Sequence, residues 1–432
     1  MDRAIEAALQ PGHFISYNGS HGFVSDLQEV ANEIEKIVPA DGARAARLYE
    51  TFLAGCYEKA EELDDSGGNL GMFVESLFCG WIKARTVAGA DRDETAKTLL
   101  DWMDRDDYGF CHQLEREAVK AFDKEGLVAF ERQVRVRHAE QPAQDSHRAY
   151  VHRRRGEMLR AIYAQQQNVE SYVALCDRTE LSPQDCLVVA TMLKARRKPD
   201  EALVWVERGL TLEKKRPNET MAEGDLGRMK RELLTKTGRG GAALEDAWAE
   251  FCEAPDTFSY EELMRFVPKA ERAAWHTKAM GAAEQADLHS VIDLWLKTKE
   301  IERLVERLRK ASDAEIENLS HYTTEPAAKR LAKDHADVAG KVYRALGMRI
   351  LKAKKSKYYD AALSNFEEAE RCYRRAGLEA QWDALVAEVR KEHQRKLGFM
   401  GSFERLVAGR GPSQEPSFLE RARDRWSKRS DS

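Results

Sequence analysis

The segment at 341–377, KVYRALGMRILKAKKSKYYDAALSNFEEAERCYRRAG, constrains the fold of this chain more than any other stretch. It reads as two helices folded back on each other. Tyr343, Leu346, Gly347 and Ile350 share one face of the first helix at helical spacing, and Gly347, lacking a side chain, permits close approach. Ala362, Phe366 and Ala369 follow four and three residues apart on the second, a small–large–small stripe. Such a hairpin cannot bury its apolar face alone and requires stacked neighbours.

That stripe is the pattern of a tetratricopeptide-type helical hairpin. Weaker copies lie upstream. Ala202, Val206 and Gly209 repeat the spacing in PDEALVWVERGLTLEKK, which follows SPQDCLVVATMLKARR with Pro183 at a helix start and Pro199 between the helices. A second copy, GGAALEDAWAEF, places Glu250 where a small residue is expected. Nearer the start, Phe23, Leu27, Val30 and Ile34 stripe one helix, Tyr49, Phe52, Leu53 and Cys56 the next, and Val74, Leu77, Phe78 and Trp81 another. Leu288, Val291, Ile292 and Trp295 repeat this later. No region alternates with period two. Proline is scarce, 11 of 432 residues against a usual level of about 5 %, and charged residues make up 33 %, a helix-forming composition. The chain is too long for one ordinary compact core. The expectation is an all-α protein, an α-solenoid of stacked helical hairpins, tetratricopeptide-like toward the C-terminus. The polar segment RHAEQPAQDSH at 137–147 marks the expected boundary between an N-terminal helical domain (1–140) and the repeat array (141–408), with a basic tail at 409–432.

The formal net charge of −5 conceals an asymmetry: residues 341–432 sum to +8 and the remainder to −13. Acidic clusters occur early, EELDDSGG at 61–68 and DWMDRDD at 101–107. The seven cysteines are widely spread with no CxC or CxxC, which suits reduced, mostly buried thiols. The chain has no apolar run of membrane-spanning length, and MDRAIEAALQPGHF lacks a signal-peptide core, so a cytoplasmic location with no membrane partner is expected by elimination.

No catalytic or metal motif stands out. An EF-hand frame starting at Asp64 fails, because Gly68 and Asn69 fall at its fifth and sixth places. The Asp64–Gly68 turn is therefore read as a helix cap and tight turn. Asp101, Asp104, Asp106 and Asp107 read as a structural turn. Cys111-His112 cannot share one helix face, and no second pair sits at zinc spacing. GxSxG and HExxH are absent, and Gly238-Arg239-Gly240-Gly241 lacks the preceding strand and following Lys-Ser/Thr of a phosphate loop. The expectation is a non-enzymatic protein with no cofactor. The basic runs at 152–155 and 194–198, and the terminal cluster Arg421, Arg423, Arg425, Lys428 and Arg429, read chiefly as solvated helix surface.

One resemblance emerges from the C-terminal motif. KYYDAALSNFEEAERCYRRAGLEAQWDALVAEVRKEHQRKLGFMGSFERL (357–406) resembles the C-terminal helical region of bacterial SWIM zinc-finger proteins, in which a Tyr-rich hairpin precedes a Trp and a basic Gly-Phe ending. The matching positions are Tyr358, Tyr359, Trp382, His393, Arg395, Lys396, Gly398 and Phe399. Asp64-Asp65-Ser66-Gly67, with Glu58 and Leu70-Gly71, is similar to the same family's N-terminal signature. The finger itself, CxC followed by CxH, is missing, so its zinc and DNA-binding roles do not carry over. What the resemblance implies is the helical scaffold. The functional expectation is a scaffold that engages a protein or peptide partner on the concave face of the array, with Arg395, Lys396, Arg421 and Arg425 as candidate partner-binding residues. The alternative is a nucleic-acid-associated accessory protein that uses the basic C-terminal third, with weak, nonspecific nucleic-acid contact expected at physiological salt.

Overall fold

The computed structural model describes residues 1–10, 12–139, 146–215, 221–353 and 355–409. Contacts divide the chain into two compact units, Met1–Gly238 and Arg239–Ser432. Within the first, the helices are α1 (Asp2–Ala8), α2 (Tyr17–Ile37), α3 (Gly42–Glu58), α4 (Asn69–Val87), α5 (Arg92–Asp104), α6 (Leu114–Ala121), α7 (Lys124–Ala139), α8 (Ser146–Gln165), α9 (Val169–Cys176), α10 (Pro183–Ala195), α11 (Pro199–Lys215) and α12 (Glu223–Lys236). Within the second they are α13 (Gly240–Glu253), α14 (Thr257–Phe266), α15 (Arg272–Ala283), α16 (Leu288–Thr298), α17 (Ile301–Lys310), α18 (Asp313–Asn318), α19 (His321–Leu331), α20 (Ala336–Lys352), α21 (Tyr359–Arg375), α22 (Glu379–His393) and α23 (Leu397–Val407). Among the described residues there is no strand, only an isolated bridge between Ile15 and Leu63.

The fold is all-α and built of helical hairpins, and most packing joins helices adjacent or nearly adjacent in sequence. The most extensive pair is α20 with α21, the hairpin at 341–377, followed by α10 with α11 and α3 with α4. The boundary expected at 137–147 lies inside the first unit, because α7 and α8 on either side of it pack against each other. Residues 140–145 of that segment, and 410–432 of the tail, lie outside the described residues.

The stripes bury as their spacing requires, with small shifts. Tyr49, Phe52, Leu53 and Cys56 are buried, as are Val74, Leu77, Phe78 and Trp81. On α2 the buried line is Leu27, Ala31 and Ile34, while Phe23 and Val30 are only partly covered. On α13 the pattern closes with Ala243, Ala247 and Phe251 buried and Glu250 at the half-exposed edge. Helix starts are set by local chemistry. Ser182 with Asp185 and Ser312 with Glu315 form reciprocal capping boxes on α10 and α18.

The C-terminal hairpin shows why the repeat needs neighbours. Ala362, Phe366 and Ala369 are fully buried on α21. Gly347 of α20 lies against the Phe366 ring: a Cβ at position 347 would fall 2.4 Å from Phe366 Cε1. The ring's remaining surface is covered from α23, by Phe399 at 6.2 Å and Phe403 at 5.6 Å, both edge-on. Tyr343 and Leu346 are buried as expected, whereas Ile350 is half-buried. Arg344 bridges Asp313 (3.2 Å) and Glu317 (3.1 Å) of α18 and Glu388 (2.6 Å) of α22, a charged bolt across three helices.

Two outcomes follow for urea denaturation monitored by circular dichroism. Phe366→Ala destabilises by about 3–5 kcal/mol, the usual cost of emptying a buried phenylalanine site. Gly347→Ala costs about 1–3 kcal/mol by overpacking, and most of that cost disappears in a Phe366→Leu background. A loss under about 1 kcal/mol for Phe366→Ala contradicts the packing described.

Candidate functional site

The turn at Asp64–Gly68 spends its carboxylates on backbone. Asp64 Oδ1 accepts from the Ser66 amide at 3.1 Å and the Ser66 hydroxyl at 2.5 Å, and these bonds hold its carboxyl below the usual range. Asp65 receives the first amides of α4, Leu70 N–H at 2.8 Å on Oδ1 and Gly71 N–H at 3.0 Å on Oδ2. Gly68, just before α4, takes the left-handed conformation at φ +70°. The segment caps and turns, as its composition implies.

Three of the four carboxylates at 101–107 are likewise engaged, and Asp107 is exposed. Asp101 pairs with Lys97 (3.0 Å) and Arg137 (2.5 Å), and Asp104 with Arg137 (2.7 Å) and Arg155 (3.0 Å). Burial opposes charge on Asp101, but its Lys97 and Arg137 bonds outweigh that and hold its carboxyl below the usual range. Asp106 accepts from the Phe110 and Cys111 amides at 3.1 and 2.7 Å and from the Tyr57 hydroxyl at 3.0 Å. The same hydroxyl lies 3.6 Å from Cys111 Sγ, and burial pushes the Cys111 thiol up to about 12. Among the described residues no group of three or more His, Cys, Asp or Glu is arranged to hold a metal ion.

Most cations of the basic runs point inward or pair locally, while Arg197 is exposed. Arg154 donates to the Met103 carbonyl at 3.3 Å and to the Cys111 carbonyl. Arg155 donates to the Arg137 carbonyl at 2.8 Å as well as to Asp104, and Arg153 lies over the Tyr150 ring. Lys194 pairs with Glu232 (2.5 Å), Arg196 with Glu170 (3.1 Å) and Lys198 with Glu201 (2.9 Å). These cations are therefore not arrayed toward a phosphate backbone. Arg395 is exposed and Lys396 half-exposed at the corner between α22 and α23, beside Leu397, which is 85 % exposed. Arg421 and Arg425 lie outside the described residues.

Two features had no sequence signal. In the second unit, Lys278 lies over both Trp248 (4.0 Å) and Trp275 (4.2 Å), whose rings meet edge to face at 5.5 Å. In the first, a cavity of about 310 Å³ opens among α2, α3, α4 and α6, lined by Glu35, Tyr49, Glu75, Gly80, Lys83 and Glu117 among others. Trp275 and Lys278 lie three residues apart on α15, but which other helices complete each group, α13 with Trp248 and α2, α3, α4 and α6 at the cavity, does not follow from spacing.

Hairpins packed on sequence neighbours, with their charges tied up in caps and ion pairs, define an all-α helical-repeat protein. Residues 5–402 match the family described as a family of unknown function (DUF6880), and the chain belongs to that family. No curated protein matches it. Among solved structures, similarity is found to the structure of Naa15/Naa10 bound to HypK-THB, at 12% identity and a TM-score of 0.33, covering 92% of this chain and 64% of that one. The chain thus spans less than two thirds of that structure's length. It is also similar to a circular tandem repeat protein with novel repeat topology and enhanced subunit contact surfaces, at 13% identity and a TM-score of 0.19, covering 91% of this chain and 95% of that one. Among the described residues no helix is long and apolar enough to cross a membrane.

Near the acidic cluster, Glu115 of α6 is buried, its Oε2 has no hydrogen-bond partner among the described residues, and burial raises its carboxyl above the usual range. A raised folded value means that the folded state holds the proton more tightly than the unfolded chain. Glu115 therefore subtracts stability as pH rises through its unfolded and then its folded value. Glu115→Gln is expected to be more stable than the parent near pH 7, with the difference shrinking toward about pH 4, as read from urea midpoints. At the Asp64–Gly68 turn, Asp65→Ala is expected to cost about 0.5–2 kcal/mol, as for other lost helix caps, in the same assay.

Proposed function

We propose that this protein is a non-enzymatic helical-repeat scaffold that binds a protein or peptide partner, and that it is cytoplasmic. Stacked helical hairpins create extended concave surfaces, and an extended segment or partner domain would lie along such a face. The observation that carries the reading is the fate of the charged motifs. Most charged groups of the clusters at 64–65, 101–107, 152–155 and 194–198 are engaged in caps, carbonyl contacts and ion pairs. Adhesion through helix surfaces is the use that this chemistry favours. The kinship with SWIM zinc-finger proteins rests on the quoted sequence motifs and belongs to the same proposal, without the finger's zinc.

The second reading, contact with nucleic acid, draws on the net +8 of residues 341–432 and on the exposed corner at Arg395 and Lys396. Phosphate tracking needs many cations on one continuous face. Here Arg371 is bound by Glu367 and Glu368, Arg374 by Glu370 and Arg390 by Glu404.

Affinity capture from native lysate with and without nuclease, followed by rebinding of the captured protein to the purified chain, tests the proposal. Partners are expected to survive nuclease and to rebind. In parallel, fluorescence anisotropy with single- and double-stranded DNA and RNA is expected to give only weak binding at about 150 mM salt. Sub-micromolar binding there, lost when Arg395, Lys396, Arg421 and Arg425 are changed to Ala, replaces the scaffold reading with the nucleic-acid one.

A further inference from the structure

The first unit contains a polar cavity whose chemistry does not follow from its role in packing. Its walls come from α2, α3, α4 and α6, and its volume is about 310 Å³, at the lower end of small-molecule sites. Tyr49 reaches it from α3. That side chain is only 3 % exposed, yet its hydroxyl makes no hydrogen bond to any described residue. The ring is packed in the core, but the hydroxyl oxygen keeps some accessible surface at the cavity, so its hydrogen-bonding capacity faces the recess. The position of the ring depends on Gly80, which also lines the cavity. A Cβ at position 80 would sit 2.5 Å from Tyr49 Cζ and 2.7 Å from its hydroxyl oxygen, so only glycine leaves the ring end in place.

Glu35 from α2, whose charge acts on Tyr49, lines the same cavity as Glu75 from α4 and Glu117 from α6, with Lys83 as the cation of the lining. The lining residues alone carry two negative charges in excess, one of which is answered by Lys120 beside Glu117. Glu75 also accepts from the Gln113 amide at 2.9 Å, and Glu117 pairs with Lys120 at 2.7 Å, so both carboxylates are held near the wall with acceptor capacity remaining. Burial, together with the Glu35 charge, pushes Tyr49 up to about 12, so near neutral pH it is an uncharged hydroxyl that can accept as well as donate.

We propose that this cavity binds a small alkylammonium cation through N–H donors to the Tyr49 hydroxyl and the surrounding carboxylates. The acceptors come from separate helices and suit a cation with several diverging donors. A quaternary ammonium has no N–H to give and is recognised instead by an aromatic cage, which this lining does not provide. A bare divalent ion is disfavoured because the carboxylates are not grouped as a metal set. The cation has two chemical sources, a free amine or the lysine side chain of a polypeptide, and both present the same group.

Isothermal titration of the full chain with putrescine, spermidine and Nα-acetyl-lysine methylamide tests this, with tetramethylammonium and magnesium chloride as controls. The alkylammonium probes are expected to bind with Kd below about 1 mM, and the controls are not. Tyr49→Phe and Glu117→Gln are each expected to weaken binding by about tenfold. Because the Tyr49 hydroxyl bonds to no described residue, Tyr49→Phe should keep the parent's melting temperature, which separates lost binding from lost folding. Tighter binding of the free amines points to a metabolite, and tighter binding of the lysine amide to a partner chain; either result upholds the site. Absence of binding by every alkylammonium probe overturns the proposal. So does affinity unchanged by both substitutions, or equal binding of tetramethylammonium or magnesium.

Discussion

The exchange of a glycine hydrogen for an aromatic ring is the contact on which this architecture turns. At Gly347 the missing Cβ is replaced by the edge of Phe366, and the two helices of the hairpin close around that ring. Phe366 then offers its other surfaces to Phe399 and Phe403, which come from a helix beyond the hairpin. One substitution of shape thus makes the hairpin and also commits it to a neighbour. The same device recurs between α3 and α4, where Gly80 admits Tyr49. There it leaves a polar hydroxyl at a cavity wall instead of a fully apolar seam, so one packing solution produces a structural joint in one place and a chemically usable recess in another.

Charge is handled by a second rule: most clustered ionic groups are answered close to home. Arg137 and Arg155 meet Asp101 and Asp104 where α5, α7 and α8 converge, and Arg344 joins α18, α20 and α22. Such pairs contribute little net free energy when exposed, and when buried they fix geometry more than they add stability. Their effect here is specificity of packing among helices that are otherwise similar in composition. At 152–155 the contacts draw Arg154 and Arg155 inward, and at 194–198 surface carboxylates answer Lys194, Arg196 and Lys198, so neither run presents a full row of unpaired cations.

The hairpins at α10–α11 and α20–α21 were legible because small and large side chains recur at fixed helical spacing, and spacing is a property of the chain alone. The Asp65 cap was legible for a related reason: a short acidic side chain a few residues before a helix can reach that helix's free amides. The placement of Arg154 was not, since an arginine in a basic run looks solvated until the helix opposite it, with its Met103 carbonyl, is known. The packing across the 137–147 segment was not legible either. The segment at 137–147 is polar like a linker, but α7 and α8 pack together across it.

By itself, then, the sequence determined that the chain is helical, where most apolar stripes lie, and that one hairpin must be covered by others, because periodicity and side-chain size act within a few turns of helix. Tertiary structure decided which helices cover which, which charges are neutralised, and that Tyr49, Glu35, Glu75 and Glu117 border one recess. Those outcomes depend on which faces of different helices meet, even where the helices are near neighbours in the chain. No local pattern encodes them, since each residue's spacing on its own helix is the same whether its neighbour in space is a partner, a solvent shell or a cavity.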